Sequence, residues 1–330
     1  MQDRLSIVII NYNYARFIEQ CVRSVLTQDI RDIEVIVVDD GSSDTSLSVI
    51  KSIVDPRLRY VAQSNGGMIS AMNRGFAETT SPFVVFVDAD DYLLPGALRL
   101  HLENLARPGV VRSQGYMDIA HDTTPTGARV PGRPAPAGDL RQIVLDVGPG
   151  AVVSTPNSGN AWSRALLAEV FPLPIGPRGL GAETFLMDAA PLYGLVATMD
   201  KSVAAYRVHG KSMSDGKKMM TAETLTRAVE GYLTRANHLA LLARKQGHSA
   251  DANRWIATNW RVLTLRELLS RSTGAQELRP RFAVQMKSVL RVSGGWHKKL
   301  AVAAFVAGLR LLPTNAALYA AKYFIRPHNM

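Results

Sequence analysis

The run Phe83-Val84-Val85-Phe86-Val87-Asp88-Ala89-Asp90-Asp91 decides how the first half of the chain is read. Its apolar, β-rich residues show no polar alternation, which describes a strand buried on both faces, as in a parallel sheet. The run ends abruptly in three carboxylates within four positions. Like charges that close repel, so a fold keeps them either in water or around a cation. An Asp-x-Asp at a strand end suits magnesium or manganese, which take oxygen ligands and are commonly held by one or two carboxylates plus phosphate oxygens. The other reading is a solvated acidic turn that caps a helix expected over Pro95–Ala106.

Further short β-rich runs precede it at Leu5–Ile10, Glu34–Val38 and Arg59–Ala62, alternating with helical patterns over Ala15–Gln28, Thr45–Val54 and Met68–Glu78. That alternation predicts an α/β fold with a mainly parallel central sheet and helices on both faces. Ligands of such sheets bind beyond the carboxyl ends of the strands, so the polar residues at those ends matter most. Glu34–Val38 delivers Asp39-Asp40-Gly41-Ser42-Ser43-Asp44, where Gly41 permits a tight turn and Ser43 or Asp44 can cap the next helix. Capping does not require Asp39, a carboxylate suited to accept a hydrogen bond from the N–H of a nucleotide base. The first strand empties into Asn11-Tyr12-Asn13-Tyr14, whose aromatics either border a base or ribose or serve as turn residues. Asn65-Gly66-Gly67 opens a helix that runs through Asn73, a glycine turn at a helix N-terminus, which favours negative charge. A G-x-G-x-x-G fingerprint, a P-loop lysine motif and a G-x-S-x-G elbow are all lacking, which argues against nicotinamide-dinucleotide, P-loop and serine-hydrolase chemistry.

Later the pattern loosens. His121–Asp139, with Pro125, Pro131, Pro134 and Pro136, reads as a loop; strand or helix signals resume at Val152-Val153, Ala161–Val170, Leu195–Met199 and Val203–Val208. Beyond Thr221 nearly everything is helical: Glu223–Gln246, Asp251–Arg271, Pro280–Val292 and Trp296–Leu312, stopped by Pro313. At 330 residues the chain is long for one domain, and a boundary near residue 215 separates an α/β domain, 1–215, from an all-helical C-terminal region, 216–330. Charge divides at the same place. Residues 1–215 carry 19 Lys+Arg and 23 Asp+Glu, whereas 216–330 carry 19 and 5. The basic region is either a solvated helical surface or one attracted to anionic lipid or charged glycan. No recognition-helix, zinc-finger or ribonucleoprotein-type motif directs it to nucleic acid, which is not an expected partner. The lone Cys21 fits a reducing compartment and excludes disulfide scaffolds. Met1–Arg4 runs straight into the first strand without a signal core, and the longest uncharged apolar stretch, Leu300–Leu309, falls short of the ~20 residues of a spanning helix. A cytoplasmic protein is expected, with peripheral attachment to the inner face of the membrane through 216–330 as the alternative to a freely dissolved one.

Taken in order and spacing, Ser6–Asn13, Val37–Asp44, the Asn65–Gly75 turn-helix and Val87–Asp91 resemble the family-2 inverting glycosyltransferases of GT-A fold, over roughly residues 4–215. The resemblance implies a nucleotide-sugar donor, a UDP-sugar first among them, and a glycan or lipid-linked acceptor hydroxyl in cell-surface polysaccharide synthesis. It places Asp39 at the base, Asn11 and Tyr12 beside it, Asp88 near the ribose, and Asn65, Gly66 and Asn73 on the donor side. Asp90 would hold a divalent cation, magnesium or manganese, with Asp91 supporting it. A base is also implied, an acidic residue ahead of a hydrophobic helix; Glu183 in Gly181-Ala182-Glu183-Thr184-Phe185 stands there, where Asp is commoner, with Asp188 as the fallback. Arg207-Val208-His209-Gly210 resembles the family's Arg-x-His-Gly segment, so Arg207 or His209 would reach the diphosphate or the metal. Asn253-Arg254-Trp255 only superficially resembles the Gln-x-x-Arg-Trp of processive synthases, since Asp251 takes the Gln position, which favours transfer of a single sugar. Two rivals share these residues: a nucleotidyltransferase with the same carboxylates and metal, and a non-catalytic nucleotide-sugar sensor docked through its basic helices.

Overall fold

A computed structural model describes residues 4–176, 181–209, 220–291 and 295–324. The described chain divides into two compact units. The first holds residues up to 144, 150–175 and those from 181 to 209; the second holds 145–149, 176 and the chain from 220 onward. The boundary expected near 215 lies outside the described residues.

The first unit opens with β1 (Leu5–Asn11), α1 (Ala15–Leu26), β2 (Ile33–Asp39), α2 (Ser46–Ser52), β3 (Leu58–Ala62), α3 (Met68–Ala77) and β4 (Phe83–Asp88). As the alternation predicts, these strands are parallel; their order is β3-β2-β1-β4. Ile7 and Ile9, Val35 and Val37, and Val85 and Val87 join one core with Ile18, Cys21 and Val22 of α1 and Ile50 of α2. On the opposite face α3 approaches so closely that a Cβ on Gly75 would lie 2.3 Å from Val8 Cγ1. Glycine is the residue that lets helix and strand meet there.

The remainder of the unit adds β5 (Tyr92–Leu93), α4 (Ala97–Leu105), β6 (Val110–His121), β7 (Thr124–Val130), α5 (Arg141–Val147, which runs into the second unit), β8 (Asn160–Ser163), α6 (Arg164–Val170), α7 (Glu183–Tyr193) and β9 (Leu195–Val208). The sheet continues β4-β8-β6-β9-β5, with β7 beside β6. Only the β6–β9 pair is parallel in this half; β4–β8, β6–β8, β5–β9 and β6–β7 are antiparallel, so the sheet is mixed rather than parallel throughout. Two sequence expectations need correction. Thr124–Val130, read as loop, is an exposed strand whose pairing with β6 supplies the order that its Pro, Thr and Gly composition does not. Leu195–Met199 and Val203–Val208 are one strand, interrupted only by shifts of register against β6.

The second unit contains α8 (Ala222–Lys245), α9 (Ala252–Thr258), α10 (Trp260–Thr273), α11 (Phe282–Val289), α12 (Trp296–Leu311) and α13 (Thr314–Phe324). Leu225 and Val229, Leu265, Leu268 and Leu269, Leu309, and Ala317 and Ala321 form its core. The single helix expected over Asp251–Arg271 is broken at Asn259, whose side chain accepts the N–H groups of Arg261 and Val262 and starts a new helix. Pro313 ends α12 but also precedes α13, because proline is tolerated ahead of a first helical turn. Among the described residues no helix is long and apolar enough to cross a membrane.

One carboxylate ties the amino ends of the parallel strands together. Glu34 on β2 accepts hydrogen bonds from Ser6 on β1 and from the backbone and hydroxyls of Thr80 and Ser81 before β4. Burial alone would raise its pKa, but these bonds outweigh it and hold the group at about 2 instead of 4.5. A depressed carboxylate pKa stabilises the fold above its unfolded value and loses that contribution as pH falls through the folded one. Glu34→Gln should therefore cost on the order of 2 kcal/mol at pH 7. Its melting temperature should converge on that of the parent chain as pH drops from about 4.5 toward about 2 in paired thermal melts.

Candidate active site

The carboxyl ends of β1, β2 and β4 lie level: Asn11 pairs with Asp39, and Ile10 with Asp88. Asn11 Nδ2 donates to Asp39 Oδ1 at 2.7 Å, and Ser42 donates to Asp39 through its N–H at 3.1 Å and its hydroxyl at 2.6 Å. Asn11 is fully buried, and its own Oδ1 lacks a protein donor among the described residues. Asn13 sits at φ 58° and accepts the N–H groups of Ser43 and Asp44, which fastens the two loops together. Neither residue expected to cap α2 is its N-cap, which is Thr45; Asp44 stands just outside and accepts from Ser46 N–H at 2.9 Å and from Ala15 N–H, at the start of α1, at 3.0 Å. Beside this frame Tyr12 stands 47% exposed, a ring available to a planar ligand.

Asp40 turns the other way. Its carboxylate accepts Gly66 N–H at 2.9 Å, Gly67 N–H at 2.8 Å and Gln63 Nε2 at 2.7 Å, while Asn65 Nδ2 donates to the Asp40 carbonyl at 3.1 Å. Asn73 has both ends of its amide taken by Leu173, donating to the carbonyl at 3.0 Å and accepting the N–H at 2.7 Å. These bonds tie Gly66 N–H and the amides of Asn65 and Asn73, all expected on the donor side, to Asp40 and Leu173.

The three carboxylates after β4 divide their work. Asp88 Oδ1 accepts Asn157 Nδ2 at 2.8 Å, and its N–H donates to Ser158 Oγ at 3.0 Å. The Ser158 hydroxyl donates to Asp91 Oδ2 at 2.7 Å, and Asp91 Oδ1 accepts Arg207 N–H at 3.1 Å. Burial, then the charges of Asp91, Asp90 and Glu183, push Asp88 well above the usual carboxylate range despite the Asn157 bond. Burial and the Asp90 charge push Asp91 up to about 8, against the opposing bonds from Ser158 and Arg207. Asp90, partly exposed like Asp88, lies 3.1 Å from His209 Nε2, while Asp91 is buried. The His209 ring packs against Phe17 and, edge-on, against Tyr14, with centroids 4.8 Å and 5.6 Å away.

Asp91, expected to support the metal, has both its oxygens engaged in joining β4 to the 155–159 turn and to β9. Arg207 is buried with its guanidinium 4.6 Å from the Phe17 ring centroid and 5.1 Å from that of Tyr92, and it donates to Gln20 Oε1 at 2.8 Å. It braces the rim from behind, where burial lowers its pKa. Residues 210–214, the rest of the Arg-x-His-Gly segment, lie outside the described residues.

Glu183 is the first residue of α7, and its carboxylate folds back over Gly181: a Cβ at 181 would lie 2.6 Å from Oε1. The charge of that carboxylate is among those that raise the pKa of Asp88. Asp188 is buried and accepts Gly150 N–H at 2.8 Å, and its charge favours the protonated form of buried Arg112.

Sequence reading passed over the residues behind the carboxylates. Fully buried Arg112, with its pKa lowered to about 9 by burial, donates to Asn160 Oδ1 at 2.7 and 3.0 Å. It also lies 5.0 Å from the Trp162 ring centroid. Asn160 Nδ2 in turn donates to the carbonyls of Pro156 at 2.7 Å, Thr155 at 3.1 Å and Asn157 at 3.2 Å. This chain shapes the turn from which Asn157 and Ser158 reach Asp88 and Asp91. The available signal was the polar run Ser154–Asn160 in an otherwise apolar stretch.

A divalent cation fits this rim in its chemistry. Asp88 and Asp91 stay raised, Asp91 despite the nearby charge of Arg207, and a cation would relieve their mutual repulsion. Among the described residues no three His, Cys, Asp or Glu side chains surround one point, so Asp90, with His209 beside it, would furnish only part of a coordination sphere. Magnesium and manganese suit that arrangement, because phosphate oxygens and water commonly complete their shell.

Known proteins give the same picture. Residues 6–142 match the family model described as glycosyl transferase family 2. An uncharacterized glycosyltransferase of Nostoc sp. is 33% identical over 233 residues, 69% of this chain and 72% of that protein. The chain belongs to glycosyl transferase family 2 and is a glycosyltransferase. The GalNAc(5)-diNAcBac-PP-undecaprenol beta-1,3-glucosyltransferase of Campylobacter jejuni is 36% identical over 99 residues, 29% of this chain and 32% of that enzyme. S. aureus TarS 1-349 in complex with UDP-GlcNAc superposes with a TM-score of 0.57 at 17% identity, covering 93% of this chain and 91% of that one. The mannosyltransferase PcManGT from Pyrobaculum calidifontis, in complex with GDP-Man and Mn2+, does so with a TM-score of 0.50 at 18% identity, covering 98% and 85%. The fold is GT-A.

Because the Glu183 carboxylate occupies the space a Cβ would need, Gly181→Ala should displace it without touching the core. Misplacing a reacting group by about an ångström costs on the order of 10²-fold. Glycosyl transfer should fall by roughly 10- to 10²-fold. The melting temperature should stay within a degree or two of the parent; steady-state kinetics and a thermal melt check both.

Proposed function

We propose that this chain is an inverting, metal-dependent glycosyltransferase that moves one sugar from a UDP-sugar to a hydroxyl of a glycan or lipid-linked acceptor in cell-surface polysaccharide synthesis. The observation that carries the reading is the rim at the carboxyl ends of β1, β2 and β4, where Asn11, Asp39 and Asp88 stand level and Asp90 follows. Family membership makes sugar transfer the chemistry and sets aside nucleotidyl transfer and mere sensing. The UDP-GlcNAc bound to TarS and the GDP-Man and Mn2+ bound to PcManGT support a nucleotide-sugar donor and a divalent cation. The undecaprenol-linked substrate in the name of the Campylobacter enzyme supports a lipid-linked acceptor. Such an acceptor would place the reaction at the cytoplasmic, inner face of a membrane.

Each residue has a task that its surroundings allow. Asp39, held as an acceptor by Asn11 and Ser42, receives the N–H of the base, and Tyr12 covers the base or ribose. Asp88, oriented by Asn157, meets the ribose. Glu183 takes the proton from the acceptor hydroxyl as its oxygen bonds to the anomeric carbon, while the bond from that carbon to the phosphate oxygen breaks on the opposite face. Attack opposite the leaving group inverts the anomeric centre. Asp90 and His209 would hold the cation, whose Lewis acidity would stabilise the negative charge left on the nucleoside diphosphate.

Asp90→Ala and excess chelator should each abolish release of nucleoside diphosphate in a coupled assay; full activity in either removes the metal from the reading. Glu183→Gln should lower turnover by about 10²–10⁴-fold, the usual worth of a general base, with the donor dissociation constant nearly unchanged by calorimetry. Survival of activity in that variant and its loss in Asp188→Asn would transfer the role to Asp188. A thermal-shift comparison of UDP- and GDP-sugars with manganese identifies the nucleotide, since the bound donor raises the melting temperature by mass action.

A further inference from the structure

We propose that the corner between α11 and α12 is an interfacial anchor that docks this protein on an anionic lipid surface. The inference does not rest on the reaction above; it names the residues by which the basic helical unit would meet a membrane.

Charge comes first. Residues 278–330 contain nine Lys and Arg and no Asp or Glu. Two of the nine are compensated inside the unit, where buried Glu267 pairs with Arg279 at 3.2 Å and Arg310 at 2.8 Å. Arg281, Lys287 and Arg291 are exposed on and beside α11, Lys298 and Lys299 open α12, and neither helix carries a carboxylate. A surface of one sign in this way attracts the opposite sign and repels a second copy of itself.

Apolar exposure comes second. From Leu300 to Leu309 α12 has no polar side chain. A helix that is hydrophobic all round is ordinarily buried all round. Here Val302, Val306 and Leu309 fill the core, while Trp296, Leu300 and Ala304, one turn apart, face outward. Trp296 is 72% exposed, Leu300 63% and Leu290, at the end of α11, 55%. Lys299 pins the corner: its amine donates to the Leu290 carbonyl at 2.8 Å and lies 5.7 Å from the centroid of the Trp296 ring. Tryptophan and leucine beside uncompensated lysine and arginine is the composition of an interfacial helix, with apolar groups among the acyl chains and basic groups at the headgroups. A soluble polyanion would satisfy the charge and leave these three apolar side chains in water, so lipid fits both observations where polyanion fits one.

The full chain is tested by co-sedimentation with vesicles of phosphatidylcholine alone and of phosphatidylcholine with phosphatidylglycerol, at low and high salt. Trp162, Trp255 and Trp260 are buried, so acrylamide quenching of fluorescence reports chiefly on Trp296. Binding to the anionic vesicles should exceed binding to neutral ones by tenfold or more, weaken with salt, and shield Trp296 from acrylamide. Trp296→Ser combined with Leu300→Ser should lower it at least tenfold, with the melting temperature and nucleotide-sugar binding retained. Lys287→Glu combined with Lys298→Glu should do likewise, at about fivefold per basic charge lost near the surface. Equal binding to both vesicle types, binding to neither, or indifference to either pair of substitutions overturns the proposal. So does a Trp296 shielded without lipid in a species that dissociates on dilution, which would show the face closed by a second copy. Lost nucleotide-sugar binding in the parent chain would count against the proposed reaction and leave this inference standing.

Discussion

Several carboxylates must be held at one edge of a sheet where burial works against their charge, and much of the first unit is arranged around that constraint. Burying an ionised group is costly unless it is hydrogen-bonded or paired. Asp39 is met by Asn11 and Ser42, Asp40 by the N–H groups of Gly66 and Gly67, Asp88 by Asn157, and Asp91 by Ser158 and Arg207. The donors offset part of the cost. Burial, and after it the charges of their neighbours, still hold Asp88 and Asp91 above the usual carboxylate range.

The same constraint separates framework from working groups. Asp40, Asp91, Arg207 and Asp188 are buried and spend their polar atoms on the loops and strands around them. Asp90, Tyr12 and Glu183 keep some exposure. Framework groups are few in sequence yet widely spaced along it: the turn holding Asp88 and Asp91 comes from residues 155–159, itself shaped by Arg112 and Asn160. Preorganised groups of this kind cost no rearrangement when charge develops in a transition state. In the second unit a comparable buried device, Glu267 between two arginines, serves packing alone, and the uncompensated charge lies outside on α11 and α12.

Local pattern was a good guide where one element decides its own fate. Buried strands such as Phe83–Asp88 and amphipathic helices such as Ala15–Leu26 carry their period in sequence, and the parallel pairing of β1 to β4 follows from their alternation, whereas the strand order does not. β7 did not, because its order comes from its partner β6, and the break at Asn259 did not, because a cap within a helical pattern resembles an ordinary polar position. Asn65, Gly66 and Asn73 were legible as a turn and helix but not in their partners, since Asp40 and Leu173 are remote in sequence.

Sequence by itself determined the α/β class, the acidic ends of the strands, the candidate base and the basic helical region, because strand and helix periods and charge runs are written in neighbouring residues. Only tertiary structure decided which acids are enclosed by donors and which keep some exposure. That choice depends on burial and on hydrogen-bond donors brought from afar: Ser158 and Arg207 N–H enclose Asp91, whereas Asp90, one residue earlier, stays open beside His209. Two adjacent aspartates are alike in sequence; their different surroundings give them different chemistry.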